Sequence, residues 1–273
     1  MFCLIFILIA QSIQCEAGRR IFQGRDVVLG EFPYVANWGT LIKDAKKTKF
    51  DPYCTCSIIA PTWAISAAHC MEKPPLLTRN CINYASYIPT DLGKFAEVLQ
   101  AIAHPNYDFD DEGTFMKNDI CLIRTKRIQI ETYAVLSAVD YLSLIGQEVY
   151  VAGYGSTNDS SEVDLTIFVN KPLQVFKGMV IKCIERKADA PFSSVCVSSP
   201  CGSLAMICGG DSGGPVIHTS GIVAVNSWRQ NECEFLIHLK MIHKHSLARA
   251  ASVVGSPVSA VLDWISHTIA NTV

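Results

Sequence analysis

The sequence lacks an excess of either charge. Lys and Arg total 23 and Asp and Glu 25 in 273 residues, a formal net charge of −2. A nucleic-acid binder needs a basic stripe to displace counterions from phosphate, so that class is excluded. Also missing is any internal repeat of roughly 20–50 residues, which excludes solenoids and propellers. Long helical periodicity is scarce, and no apolar run after the first ten residues approaches spanning length. Disorder is excluded by the apolar share of 49%. Cysteine is plentiful, at 12 residues. That count points to an oxidising compartment or to metal sites.

The amino-terminal run chooses between those two. Met1 to Ala10 is wholly apolar and breaks at Gln11. Ten helical residues rise only about 15 Å, half of a bilayer core, so the run suits the apolar part of a secretory signal peptide. Cleavage falls after Cys15 or after Ala17. The first choice gives a signal peptide over 1–15. The exported chain is then soluble and extracellular, free of the membrane once the signal is cut, and its cysteines form disulfides. Asn158-Asp159-Ser160 fits the N-glycosylation pattern.

Short apolar segments bounded by Gly, Pro, Asn or Ser fill most of the chain. Ser57–Ala60, Trp63–Ser66, Ile120–Ile123, Glu148–Ala152, Leu173–Phe176, Pro215–Ile217 and Ile222–Val225 are examples. They predict a many-stranded antiparallel β protein. The exception is the tail, where Val258, Val261, Leu262, Ile265 and Ile269 predict an amphipathic helix over 258–269. Lys43–Lys49 reads as a basic loop and Asp108–Gly113 as an acidic, solvated one without the alternating ligands of a calcium loop.

Chemistry concentrates in Gly209-Gly210-Asp211-Ser212-Gly213-Gly214-Pro215. Glycines around a serine permit a tight turn and bring backbone N–H groups near a substrate carbonyl. Serine needs a base to become a nucleophile. Ser66-Ala67-Ala68-His69-Cys70 supplies a histidine, and Asn118-Asp119-Ile120-Cys121-Leu122 places an aspartate at the head of an apolar strand. A buried carboxylate can fix the histidine tautomer and stabilise its cation.

The order His, Asp, Ser in these settings resembles the trypsin/chymotrypsin-like serine proteases (peptidase S1), from about Ile21 to Cys233 and again at 258–265. The resemblance implies an all-β fold, two packed six-stranded antiparallel β-barrels over about 21–138 and 139–262 within a domain of 21–271, with a C-terminal helix. It implies that Ser212 is the nucleophile, His69 the general base and then acid, and Asp119 the orienting carboxylate. The N–H groups of Gly210 and Ser212 would form the oxyanion hole. Arg19-Arg20-Ile21-Phe22-Gln23-Gly24 resembles the activation site. The resemblance makes 16–20 a short propeptide, cut after Arg20 so that the Ile21 amine pairs with Asp211. Phe22 and Gln23 depart from the usual small and glycine residues. Val151-Ala152-Gly153-Tyr154-Gly155 resembles the strand that opens the second barrel.

By the same resemblance Met206, Ser227, Trp228 and Arg229 bind substrate. Met206 at the pocket base implies an apolar or small P1 residue. Cys54 would pair with Cys70, Cys183 with Cys196 and Cys208 with Cys233. Cys56, Cys81, Cys121 and Cys201 stay unassigned, with Cys121 read as a buried free thiol. No cofactor and no metal are implied. The partners are protein or peptide substrates, an activating protease and protein protease inhibitors, and the protein is a monomer. Two other readings stand beside this one. Arg229 and the altered stretch 234–257 suggest a protease-fold binding protein with little or no turnover. Cys54-Thr55-Cys56 with His69-Cys70 is the nearest approach to a structural zinc site.

Overall fold

Alternation of apolar and polar residues decides the architecture. Glu148-Val149-Tyr150-Val151 runs exposed, buried, exposed, buried. That period of two is what a strand with one face on a core requires. The structure is a computed structural model that describes residues 21, 24–43, 48–72, 79–85, 93–109, 116–155, 172–183, 193–200, 203, 205–227 and 253–272. The leader, the glycosylation pattern, the propeptide with Arg20, and Trp228, Arg229, Cys201 and Cys233 lie outside the described residues. So do most of the basic and acidic loops and the stretch 234–252.

Fifteen strands are described: β1 (Arg25–Asp26), β2 (Val35–Lys43), β3 (Thr48–Ala60), β4 (Trp63–Ser66), β5 (Arg79–Tyr84), β6 (Lys94–Ala103), β7 (Asp108–Phe109), β8 (Met116–Lys117), β9 (Cys121–Thr125), β10 (Glu148–Gly153), β11 (Gln174–Ile181), β12 (Val195–Ser198), β13 (Pro215–His218), β14 (Gly221–Asn226) and β15 (Val253–Pro257). The first barrel closes in the order β2-β3-β4-β9-β6-β5. The second runs β11-β10-β13-β14-β15-β12, and β12 pairs back onto β11. Strand β1 adds to the outside of β11. All these pairings are antiparallel. Two closed six-stranded barrels therefore stand side by side, and closure removes the edges that would invite aggregation.

The first barrel is filled by Trp38, Ile58, Ile65, Ile82, Leu122 and Ile123. The second is filled by Val149, Val151, Phe176, Val197, Val216 and Val223, with Ile21 among them. Truncating one such side chain to Ala costs about 2–5 kcal/mol, through lost transfer energy and the cavity left behind. Between the barrels, Val35 from β2 meets Ala152, Tyr154 and Val175.

The C-terminal helix α1 spans Leu262–Asn271 and starts four residues later than the periodicity predicts. Ser259–Val261 winds instead as a tighter 3₁₀ turn. Val258, Val261 and Ile265 still bury against the first barrel's core. The helix that follows the second barrel thus packs on the first and ties the two together.

Candidate active site

The site forms where the two barrels meet. Strand β4 ends at Ser66, and the chain turns into a 3₁₀ helix over Ala68–Glu72 that carries His69. Asp119 sits just before β9. Asn118 precedes it with φ +49°, a left-handed conformation that asparagine tolerates better than most residues. The Asn118 side-chain amide donates to the Asn106 carbonyl at 2.9 Å.

Asp119 and His69 meet twice. The His69 backbone N–H donates to Asp119 Oδ1 at 2.8 Å, and His69 Nδ1 lies 2.7 Å from Asp119 Oδ2. A carboxylate can only accept, so Nδ1 carries the proton and Nε2 is left as the acceptor. Asp119 is fully buried and His69 only 3% exposed. Ser227 Oγ adds a further bond to Asp119 Oδ2, at 2.7 Å. A buried charge is tolerable when its oxygens are occupied by donors in this way.

Ser212 comes from the second barrel, on the loop before β13. Cys208 to Asp211 form a turn, closed by the Asp211 N–H to the Cys208 carbonyl at 3.0 Å. Gly210 has φ +96° there, which favours glycine. Gly213 has φ +81°, and a Cβ on it would overlap Ser66 Oγ and the Thr55 carbonyl. That contact brings Ser212 up against the strand end that leads to His69. Among the described residues, Ser212 Oγ makes no hydrogen bond, and neither the Gly210 nor the Ser212 backbone N–H has an acceptor. His69 Nε2 lies 3.8 Å from Cys70 Sγ.

Asp211 turns away from Ser212, into the second barrel. It is fully buried, and its carboxylate accepts from the Gly155 N–H at 2.7 Å and the Cys208 N–H at 2.9 Å. A Cβ at Gly153 or Gly155 would overlap that carboxylate. The two glycines are therefore a space requirement of Asp211, which the sequence pattern alone did not reveal. Ile21 is also fully buried, packed with Leu144, Val149 and Ala205.

Two disulfides brace the arrangement. Cys54 bonds Cys70, the residue after His69, and Cys183 bonds Cys196. Cys208 is disulfide-bonded as well. Cys54, His69 and Cys70 lie close enough to suggest a metal site. Both sulfurs are consumed by their mutual bond, so they offer no thiolate and do not fit zinc. Cys56, Cys81 and Cys121 are free and buried. Burial pushes all three thiols up, Cys81 to about 12, and the nearby Asp119 adds to the effect at Cys121. Met206, six residues before Ser212, is buried at 3% exposure.

A family model for trypsin matches residues 21–236. The chain belongs to the trypsin family. Membership places it among the serine endopeptidases. Mouse granzyme C is 26% identical over 261 residues, covering 89% of this chain and 99% of granzyme C. Rat vitamin K-dependent protein C is 24% identical over 232 residues, 79% of this chain but only 47% of that longer protein. Trypsin of Squalus acanthias is 29% identical over 189 residues, 64% of this chain and 74% of that trypsin. Among solved structures, the mouse-brain serine protease neuropsin superposes with a TM-score of 0.64 at 18% identity, covering 91% of this chain and 99% of neuropsin. That likeness speaks for the trypsin-family fold.

Sequence reasoning missed Thr55. Its N–H donates to the Ser212 carbonyl at 2.9 Å. Its hydroxyl donates to the Gly210 carbonyl at 2.8 Å and accepts from the Tyr154 N–H at 3.1 Å. A polar residue between Cys54 and Cys56 in a buried strand was the available signal.

Proposed function

We propose that this trypsin-family chain is a secreted endopeptidase that cleaves peptide bonds through an acyl-enzyme on Ser212. Ser212 Oγ attacks the scissile carbonyl while His69 Nε2 takes its proton. The tetrahedral oxyanion is held by the Gly210 and Ser212 N–H groups. His69 then returns the proton to the leaving amine, and the acyl ester remains. Water repeats the sequence to release the acid. The observation that carries this reading is the buried 2.7 Å contact between His69 Nδ1 and Asp119 Oδ2, which leaves Nε2 as the base.

Activation follows cleavage after Arg20 by another protease. The new Ile21 amine pairs with the Asp211 carboxylate. Support comes from the burial of both residues in the second barrel. Met206 offers no charge to a basic side chain, so small or apolar P1 residues are preferred. Export is supported by the apolar leader and the disulfides. Substrates are proteins or peptides, and protein protease inhibitors would compete for the same cleft.

The test is a peptide panel with Phe, Leu, Ala or Arg at the cleaved position, given to protein processed at Arg20. Turnover of the apolar or small members, lost in Ser212→Ala, is expected. Turnover that survives Ser212→Ala overturns the assignment, and a preference for Arg overturns the role of Met206.

A further inference from the structure

The loop that offers the Gly210 and Ser212 N–H groups belongs to the second barrel, whereas His69 belongs to the first. Something must hold the two in register. Thr55 is placed to do so. It is fully buried in β3, directly after Cys54, whose disulfide partner Cys70 follows His69. Two of its groups make three hydrogen bonds across the boundary. The N–H takes the Ser212 carbonyl, the hydroxyl donates to the Gly210 carbonyl, and the same oxygen accepts the Tyr154 N–H. Its own carbonyl accepts from Ser66 Oγ at 2.8 Å, at the end of the strand leading to His69.

These bonds fall on particular peptides of the loop. The Gly210–Asp211 peptide is held on both sides, by the Thr55 hydroxyl on its carbonyl and by the Cys208 carbonyl on its N–H. The Ser212–Gly213 peptide is held by the Thr55 N–H on the Ser212 carbonyl and by the Asn226 carbonyl on the Gly213 N–H. Next to these pinned peptides, the Gly210 and Ser212 N–H groups have no acceptor among the described residues. Four residues of this loop, Gly209, Gly210, Gly213 and Gly214, are glycines, so it has little stiffness of its own. Donors aimed at a developing charge must be fixed before the reaction to be worth their full effect.

We propose that Thr55 is a positioning residue for acyl transfer, its hydroxyl bridging Gly210 and Tyr154 so that the oxyanion donors keep register with His69. The proposal rests on the Ser212 reading given above. It differs from a packing role because the oxygen, not the shape, is what bridges. Valine matches the shape of threonine without the hydroxyl, and serine keeps the hydroxyl without the methyl.

The experiment compares Thr55→Val and Thr55→Ser with wild type, all processed at Arg20. Active sites are first titrated with a fluorophosphonate, and kcat and KM for a peptide ester are then measured per titrated site. That normalisation removes any unfolded fraction, and Thr55→Ala substitutes where the valine variant does not fold. Thr55→Val should lose about tenfold to a hundredfold in kcat with KM within about twofold. Its affinity for a peptide boronic acid, which forms a tetrahedral adduct on the serine, should fall by a similar factor. Thr55→Ser should stay within about threefold of wild type. Wild-type kcat in Thr55→Val, or a serine variant no better than the valine one, overturns the role of Thr55 alone. A folded wild type that the fluorophosphonate does not label overturns the Ser212 reading and this proposal with it.

Discussion

Ser227 Oγ donates to Asp119 Oδ2 at 2.7 Å, from the end of a second-barrel strand to a buried carboxylate of the first barrel. The same oxygen faces His69 Nδ1, so Ser227 helps to hold the acceptor that fixes the histidine tautomer. Ser227→Ala should lower kcat by about tenfold, the equivalent of about 1.5 kcal/mol for a hydrogen bond to a charged group. The KM of a short peptide substrate should change little. Steady-state kinetics on the processed enzyme check this, and an unchanged kcat would place the role of Ser227 elsewhere.

Space around Asp211 gives a second expectation. A Cβ at Gly155 would overlap the Asp211 carboxylate, which accepts the Gly155 N–H. Gly155→Ala should cost about 1–3 kcal/mol in urea unfolding, as overpacking does, and activity should fall with it. Gly209→Ala is the control for stability, since nothing lies within 4 Å of a Cβ there. Equal unfolding midpoints for the two variants would contradict the account.

The cysteines divide by chemistry. Cys56, Cys81 and Cys121 are buried thiols whose ionisation burial disfavours, so they should resist iodoacetamide at pH 8 in the native protein. They should react once the chain is unfolded without reductant. Cys54, Cys70, Cys183 and Cys196 should react only after reduction. Peptide mapping of the alkylated protein reads all seven positions.

His104 predicts an acid-side loss of stability. Its Nδ1 accepts the Asn106 N–H at 3.2 Å, and its ring meets Trp264 of α1 edge to face at 4.9 Å between centroids. Burial holds its pKa below the ordinary value of 6.5. The unfolded chain therefore binds more protons just below that value, and stability falls as pH drops from about 7 toward the folded-state pKa. Asp263 and His267 lie on the same helix as Trp264. Urea midpoints at pH 7.5 and 5.5 should differ less in His104→Gln than in wild type.

Much of the fold is legible in local pattern. Trp63–Ser66 reads as a strand and is β4, because its four apolar or small residues are buried on both faces. The helix is legible through Val261, Leu262 and Ile265, but its start is not, since a 3₁₀ turn at Ser259–Val261 buries Val261 as a helical turn would. The three motifs place His69, Asp119 and Ser212 because each needs a particular local backbone. The roles of Thr55, Gly153 and Gly155 are invisible along the chain. They depend on contacts such as Thr55 with Gly210, 155 residues apart and in different barrels.

The most direct measurement is covalent labelling. Protein processed at Arg20 is treated with a fluorophosphonate, digested and analysed by mass spectrometry. One phosphonyl group per folded molecule is expected, carried on Ser212 and absent from Ser212→Ala. Folded wild-type protein that takes up no label, or carries it on another residue, would contradict the role of Ser212.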